Sequence, residues 1–211
     1  DGSVWVGLSN FGDNDSTGQQ IFGTSQLAHI TADSQGNLTS TLYAIPANTS
    51  YLTSLTTASD GSVWYALAGD PSFTPPGQVA APDQIQHATL AADGTLSIQQ
   101  FDVPEPGVVA GTSTTYPDGL ALDSTGTLWF GDETGNIITF NTNTDQFSKI
   151  VVADAPVFAT STTIIEGANG PTDVWYAPYD SDLVHVDLRD GVSVTIQAAS
   201  NPALTAVVGV Q

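Results

Sequence analysis

Short apolar or alternating segments, separated by turn residues, run along the chain. In the clearest stretch, Leu52 to Ala58 is followed by Asp60-Gly61 and by a second apolar segment, Ser62 to Leu67. A loop that contains Pro and Gly leads to Gln84 to Leu90, and another Asp-Gly pair leads to Leu96 to Val103. These lengths predict β-strands, and Asp-Gly predicts type I′ hairpin turns with positive φ at both central residues. No segment has a convincing 3.6-residue apolar period, so we predict an all-β chain.

The four tryptophans mark an internal repeat. They lie 59, 65 and 46 residues apart, which is the size of one four-stranded propeller blade with loops of variable length. We therefore predict blades at approximately residues 203–211 together with 1–46, and at 51–104, 117–153 and 159–199. The local frames are Ser3-Val4-Trp5-Val6, Ser62-Val63-Trp64-Tyr65, Thr127-Leu128-Trp129-Phe130 and Asp173-Val174-Trp175-Tyr176.

The two ends of the sequence match one blade when they are joined. Leu204 to Gln211, read on into Asp1 to Trp5, aligns with Leu52 to Ser59, read on into Asp60 to Trp64, without a gap. We predict that residues 203–210 form the innermost strand of the first blade, because a propeller otherwise keeps open sheet edges.

The predicted fold is thus a four-bladed β-propeller, a single domain over residues 1–211, closed by pairing of the C-terminal strand with the N-terminal blade. Two alternatives stay open, namely that the chain belongs to a longer propeller or that two chains form an eight-bladed ring. A monomer is favoured over the two-chain ring.

The charge balance restricts the partners. The chain has two basic residues, Lys149 and Arg189, and 22 acidic residues, so its formal net charge is -20. Such a protein repels phosphate backbones and anionic headgroups, which argues against nucleic acid as a partner. The sequence contains no run of about 18 apolar residues, so we do not expect membrane insertion. The absence of cysteine excludes disulfides and thiolate metal sites.

The three histidines occupy one repeat position. His29, His87 and His185 all fall in the third strand of a blade, where the remaining blade has Thr139. Third strands lie about two strand spacings from the innermost strand, so histidines of different blades are more than ~10 Å apart. Zinc needs nitrogen ligands at about 2.1 Å. A structural role is therefore favoured, with catalytic or metal use as the alternative.

Acidic residues collect in the loops that join second to third strands and one blade to the next, here called the loop face. This face attracts cations or cationic ligands, or alternatively its charge only keeps the protein soluble. Its acidic residues are Asp13, Asp15, Asp70, Asp83, Asp102, Glu105, Asp118, Asp132, Glu133, Asp154, Asp180 and Asp182.

Two further patterns suggest ligand contacts on this face. Asp13, Asp15 and Thr17 resemble the opening of a calcium loop, although Thr24 stands where such a loop has Glu, which leaves an ordinary polar loop as the alternative. Loops on a rigid scaffold are common recognition sites, and the aromatic candidates for ligand binding are Phe11, Phe73, Tyr116 and Tyr179.

Two segments carry a family resemblance. Asp60-Gly61-Ser62-Val63-Trp64-Tyr65 and the stretch from Leu128 to Ile137 resemble blade motifs of the streptogramin lyase (virginiamycin B lyase-like) propellers. They are more loosely similar to NHL and SMP-30/gluconolactonase propellers. The resemblance implies a propeller fold, and for the lyases an active site of a His with nearby Glu residues and a magnesium ion.

These observations predict an extracellular or cell-surface binding or scaffold module that recognises a small molecule, a glycan or a protein at its loop face. The location rests on abundant Thr, Ser, Ala and Asp with almost no Lys, and a halophilic cytoplasm is the alternative. The alternative function is a lyase or lactonase-like enzyme in which a bound divalent ion, calcium or magnesium, polarises a carbonyl. Its candidate catalytic residues are Asp118, Asp132, Glu133, Asp180 and Asp182.

Overall fold

The computed structural model describes most of the chain as antiparallel β-sheet. The residues it describes are 2–9, 25–45, 51–69, 81–104, 116–132, 136–151, 159–178, 183–189 and 192–197. Within these ranges there are fifteen strands and no helix, which confirms the all-β prediction. No described segment is a helix long enough to cross a membrane. The chain divides into two compact units, Asp1–Tyr116 and Pro117–Gln211.

The first unit contains two sheets. Each sheet is a simple meander in which every strand pairs with the next one along the chain. The three-stranded sheet consists of β1 (Val4–Leu8), β2 (Gln26–Ala32) and β3 (Leu38–Ala44). The four-stranded sheet consists of β4 (Tyr51–Thr57), β5 (Val63–Ala68), β6 (Gln84–Leu90) and β7 (Leu96–Asp102).

The second unit contains two four-stranded meanders. The first is formed by β8 (Asp118–Leu122), β9 (Thr127–Gly131), β10 (Asn136–Asn141) and β11 (Gln146–Val151). The second is formed by β12 (Ala159–Gly167), β13 (Gly170–Pro178), β14 (Leu183–Asp187) and β15 (Ser193–Gln197). The four strands of the second sheet lie within one residue of the segments predicted for them. In the second unit, β12 and β13 are nine residues long each, because they continue up to a tight turn at residues 168–169.

The hairpin turns differ from the predicted type I′ turns. Gly61 has a φ of +85° and its amide donates to the Ala58 carbonyl at 3.0 Å, but Asp60 does not have positive φ. The Asp60 carboxylate instead accepts the Ser62 amide at 2.9 Å. The type I′ prediction was wrong because the loop is one residue longer, so that a single left-handed residue suffices. The turns that end in Gly36, Gly94 and Gly126 have the same backbone bond three residues back.

Each unit has a core in which one sheet packs on the next. In the first unit, Trp5 and Leu27 pack against Val63, Tyr65 and Leu67. The face of the first sheet that carries Trp5 thus packs on the face of the second sheet that does not carry Trp64. The second unit repeats this arrangement, and its cluster is Trp129, Ile137, Val174, Tyr176, Val184 and Val186.

The four sheets are consistent with a propeller-like fold. The predicted strand at residues 203–210 lies outside the described residues, and the number of blades, the ring closure and the single domain stay predictions.

A line of hydrogen-bonded polar side chains crosses the second sheet, from the buried Tyr65 to the exposed Asp102. The Tyr65 hydroxyl, which is fully buried, donates to Gln86 Oε1 at 2.6 Å. The Gln86 amide donates to Gln84 Oε1 at 2.7 Å, and Gln84 donates to Asp102 Oδ1 at 2.7 Å. Tyr176 has the same repeat position in the fourth sheet, but Val184 lies opposite it, and its buried hydroxyl has no hydrogen-bond partner among the described residues.

We expect Tyr65→Phe to lower the free energy of unfolding by about 1 to 3 kcal/mol, because it leaves the buried Gln86 oxygen unsatisfied. Tyr176→Phe is the matched control, and it should change stability by less than about 0.5 kcal/mol or raise it. Urea unfolding followed by tryptophan fluorescence measures both. Equal losses in the two variants would contradict the hydrogen-bond assignment.

Candidate functional site

Three of the predicted site residues lie in the described part of the chain, namely Asp118, Asp132 and Tyr116. The others fall outside it, and they are Phe11, Asp13, Asp15, Thr17, Phe73, Glu133, Tyr179, Asp180 and Asp182.

Asp118 begins β8, the first strand of the third sheet. It pairs with Gly131, and the register shifts between Asp118 and Ala121, which marks a β-bulge. Gly119 has a φ of +67°, a conformation that glycine adopts without strain, and its amide donates to Asp118 Oδ1 at 2.7 Å. Burial is the main cause that raises the pKa of the Asp118 carboxyl above its ordinary value, while the Gly119 bond opposes it. A half-buried carboxyl with a raised pKa can exchange protons closer to neutral pH.

Asp132 follows β9, whose last residue Gly131 pairs with Asp118, so both carboxyls belong to the same end of these two strands. It is 4% exposed, and its oxygens accept the Asn136 backbone amide at 2.8 Å and the Asn136 side-chain amide at 3.0 Å. This carboxylate joins the end of β9 to the start of β10. Of the two described acidic candidates, Asp118 therefore has the environment that suits proton transfer.

Tyr116 ends the first unit in a strained backbone conformation, with a φ of +49°. Its amide donates to Asp83 Oδ2 at 3.0 Å, and its ring meets the edge of Tyr51 at a centroid distance of 5.2 Å. Asp83 is completely buried and its other oxygen accepts the Gly69 amide at 2.8 Å. Asp83 is one of the acidic residues predicted on the loop face, but its carboxylate is buried and binds the backbone amides of Gly69 and Tyr116 from inside.

The histidines stack on the tryptophans. In three sheets the Trp and the His lie directly opposite each other on neighbouring strands, with ring centroids 4.1 to 4.4 Å apart. In the remaining sheet Thr139 lies opposite Trp129, and the indole N–H donates to Asp123 Oδ2 at 2.8 Å. The geometry supports the structural interpretation of the histidines. The stacked pairs are Trp5 with His29, Trp64 with His87, and Trp175 with His185.

A charged cluster lies on the fourth sheet. Asp173 and Asp187 are directly opposite each other on β13 and β14, an arrangement that is destabilising for two like charges. Arg189 Nη2 lies 2.7 Å from Asp187 Oδ2 and 3.2 Å from Asp173 Oδ1, and His185 Nε2 lies 2.7 Å from the same Asp173 oxygen. The His185 bond is the main cause that lowers the pKa of Asp173, and the Arg189 side chain lowers the pKa of Asp187 to about 2.

The described residues do not form a divalent-ion site. Within the described ranges, no three acidic or histidine side chains come close enough to hold a metal ion. The oxygens of Asp132 already accept bonds from Asn136. The described residues do not by themselves fit the calcium or magnesium site that the lactonase-like prediction requires.

Comparison with known proteins supports the fold of the chain but no family. No family model matches the chain, and no curated protein matches it significantly. A crystal structure described as a candidate gluconolactonase is similar, with a TM-score of 0.50 and 16% identity over 90% of this chain and 64% of that chain. This chain therefore spans less than two thirds of the length of that structure. At this identity the similarity supports the propeller-like fold alone, and the resemblances to streptogramin lyases and to gluconolactonase propellers stay predictions.

Arg189→Gln should lower the melting temperature by about 1 to 3 °C at pH 7, because it leaves Asp173 and Asp187 facing each other without their guanidinium. Both carboxyls have pKa values below the ordinary 3.8, so the stabilisation is complete above that value. It is lost as pH falls from 3.8 towards about 2. Thermal unfolding over this pH range should show the two melting temperatures converging.

Lys149→Gln is the matched control, since it removes the other basic residue from an exposed position. If Lys149→Gln lowered the melting temperature as much as Arg189→Gln does, the change in net charge, and not the loss of the Arg189 ion pairs, would be the cause.

Proposed function

We propose that the protein is a hydrolase of small cyclic esters, such as sugar lactones, with Asp118 as its general acid and base. The observation that carries the proposal is the half-buried Asp118 carboxyl, whose pKa is raised by burial at the bulged start of a first strand. The similarity in fold to a candidate gluconolactonase supports the choice of substrate class.

The position of Asp118 suits this role. First strands of propeller blades lie next to the central channel, where ligands have access to the fold. Bulges and left-handed residues such as those at Asp118 and Gly119 often re-aim side chains beside active sites. A raised pKa also makes the carboxylate a stronger base than an ordinary aspartate.

In the proposed reaction, the Asp118 carboxylate takes a proton from a water molecule as the water oxygen attacks the lactone carbonyl. The tetrahedral intermediate then collapses, and the bond between the carbonyl carbon and the ring oxygen breaks. The departing ring oxygen takes the proton back from Asp118. The product is the open hydroxy acid, and one water is consumed for each ester opened.

No step is assigned to a metal ion. A calcium or magnesium site would need further ligands beside Asp118, and the predicted candidates Glu133, Asp180 and Asp182 lie outside the described residues. A bound divalent ion would polarise the lactone carbonyl.

A second candidate function is recognition without catalysis, by an extracellular or cell-surface module that binds a small molecule, glycan or protein. The environments of Asp83 and Asp132 favour it, because both carboxylates accept backbone amides of residues that border the predicted loop face, Gly69, Tyr116 and Asn136. Loops carried on a rigid scaffold are common recognition sites.

The proposal includes a ring of four blades in a monomeric single domain. Its support is that each of the four sheets carries one tryptophan at the same repeat position.

Asp118→Asn should lower kcat/KM for a susceptible lactone by about 10²- to 10⁴-fold, because the amide cannot accept the proton of the attacking water. Acid release from a panel of sugar and aliphatic lactones measures the activity, with spontaneous hydrolysis subtracted. The activity of the unaltered protein should rise with pH as Asp118 loses its proton, and this step should lie above the ordinary pKa of 3.8. Asp145→Asn, in an exposed turn with a φ of +55°, is the matched control and should keep full activity.

Each assay is run with calcium, with magnesium and with a chelator. Turnover that survives chelation and disappears in Asp118→Asn supports the proposal as stated. Absence of lactone turnover under all three conditions would exclude the hydrolase and leave recognition as the function.

A further inference from the structure

The outer strand of the first sheet, β3, has an open edge. Within the described residues β3 pairs with β2 alone, and its first five residues, from Leu38 to Leu42, are all exposed. Leu38 is 74% exposed and Leu42 is 55% exposed. An exposed edge strand with apolar side chains is a template on which another chain can pair.

The backbone of β3 presents hydrogen-bonding groups on this open side. The Ile45 amide, just beyond β3, donates to the Ser25 carbonyl at 3.1 Å. Hydrogen-bonded and non-hydrogen-bonded pairs alternate along an antiparallel ladder, so the register assigns Leu38, Ser40 and Leu42 to non-hydrogen-bonded positions opposite β2. Their N–H and C=O groups therefore point away from β2, where a further strand can bind them.

The sequence of the exposed segment is the same in both directions. Leu38-Thr39-Ser40-Thr41-Leu42 is a palindrome centred on Ser40. When two such strands pair antiparallel about a two-fold axis at Ser40, each leucine lies opposite a leucine and each threonine lies opposite a threonine. Cross-strand threonine pairs stabilise antiparallel sheets, and the leucine pairs bury apolar surface. The strand is therefore complementary to a second copy of itself.

We propose that the protein self-associates as a two-fold dimer in which β3 of one copy pairs antiparallel with β3 of a second copy. The backbone groups of Leu38 bind those of Leu42 in the second copy, and Ser40 binds its own counterpart at the axis. The two three-stranded sheets thereby join into one continuous sheet. Each copy keeps the monomeric fold proposed above, and the contact forms between two folded copies.

The distribution of charge favours this edge. Two copies with a formal net charge of -20 each repel, so a contact is least opposed where the chain carries no charge. Residues 36–45, which include β3 and its flanks, contain no charged residue. The outer strands β7 and β11 carry the exposed charges of Asp102 and Lys149, which disfavour edge pairing. The outer strand β15 is uncharged, but Ser193–Gln197 does not read the same in both directions.

The acidic residue closest to β3 along the chain, Asp33, does not oppose the pairing. Its carboxylate accepts the backbone amides of Gln35 and Asn37 at 2.9 and 2.8 Å, which keeps it within its own hairpin turn. In the antiparallel dimer the turns of the two copies lie at opposite ends of the paired strands, at least about 20 Å apart. This separation exceeds the Debye length of about 8 Å at physiological ionic strength, so the two charges are screened from each other.

The contact is small, because each copy contributes one strand. It belongs with interfaces below about 1,200 Å², which are typical of weak or transient association. We therefore expect a monomer at low protein concentration and a dimer at high concentration. Because a two-fold contact uses the same edge of both copies, association ends at the dimer.

Sedimentation velocity of the unaltered chain between about 10 μM and about 1 mM measures this association. The average mass should rise towards that of a dimer and not beyond it. Ser40→Lys should raise the dissociation constant by more than about tenfold, because it places two like charges opposite each other at the axis. Ser97→Lys is the matched control, since it makes the same change in charge at an exposed position of β7 and should not weaken the dimer.

A cysteine at the axis tests the register, because the chain has no cysteine of its own. In Ser40→Cys the two Cα atoms should lie about 5.5 Å apart, within the range that a disulfide spans. Mild oxidation should then give a covalent dimer that a reductant reverses. Leu42→Cys is the matched control, since its two copies lie about 14 Å apart in the antiparallel pairing but directly opposite each other in a parallel one.

A covalent dimer in Ser40→Cys alone, together with the loss of association in Ser40→Lys, supports the proposal. Covalent dimers in both cysteine variants would indicate parallel pairing and overturn it. A monomer at every concentration, species larger than a dimer, or a dimer that Ser40→Lys leaves intact would also overturn it.

Discussion

The burial of a tryptophan between two consecutive sheets is the contact on which each unit depends. Trp5 and Trp129 are 7% and 6% exposed, and each lies in a cluster that joins its own sheet to the next. On its own sheet Trp5 stacks on His29, whereas Trp129 donates its indole N–H to Asp123. A buried aromatic of this size contributes about 3 to 5 kcal/mol relative to alanine, which is comparable with the stability of a whole domain. The position of Trp5 in the first unit and of Trp129 in the second therefore sets how the two sheets of each unit pack.

Five aspartates in the described part of the chain fall into two physical classes. Asp60 and Asp123 accept amides within hairpin turns, and Asp83 and Asp132 accept amides within loops. Hydrogen bonding favours the ionised form, as shown by Asp60, whose pKa is lowered mainly by the Ser62 hydroxyl. Asp118 belongs to the other class, because burial outweighs its bond from Gly119 and raises its pKa. This difference in environment separates the proposed catalytic carboxyl from those that serve the fold.

The sequence predicted the strands better than the chemistry. The apolar patterns located β6 at its observed bounds and β4, β5 and β7 to within one residue, since these signals are local. The prediction of the turn type was wrong because Asp-Gly is compatible with several loop lengths. The hydrogen bond from the Ser62 amide to the Asp60 carboxylate, which favours one of these lengths, is not visible as a pattern in the sequence. The burial of Asp83 could not be predicted either, because it depends on Gly69 and Tyr116, which are distant along the chain. Asp118 was a candidate, but its raised pKa follows from packing.

The most direct test of the central contact is the solvent access of the indole rings, measured by acrylamide quenching of tryptophan fluorescence. Trp5 and Trp129 are 7% and 6% exposed. Two variants, each keeping one of these tryptophans and carrying Phe at the other three positions, report on each ring separately. The account predicts blue-shifted emission and weak quenching for each folded variant, and strong quenching after unfolding in urea. Emission and quenching of a folded variant equal to those of its unfolded form would contradict the packing of tryptophan between the sheets.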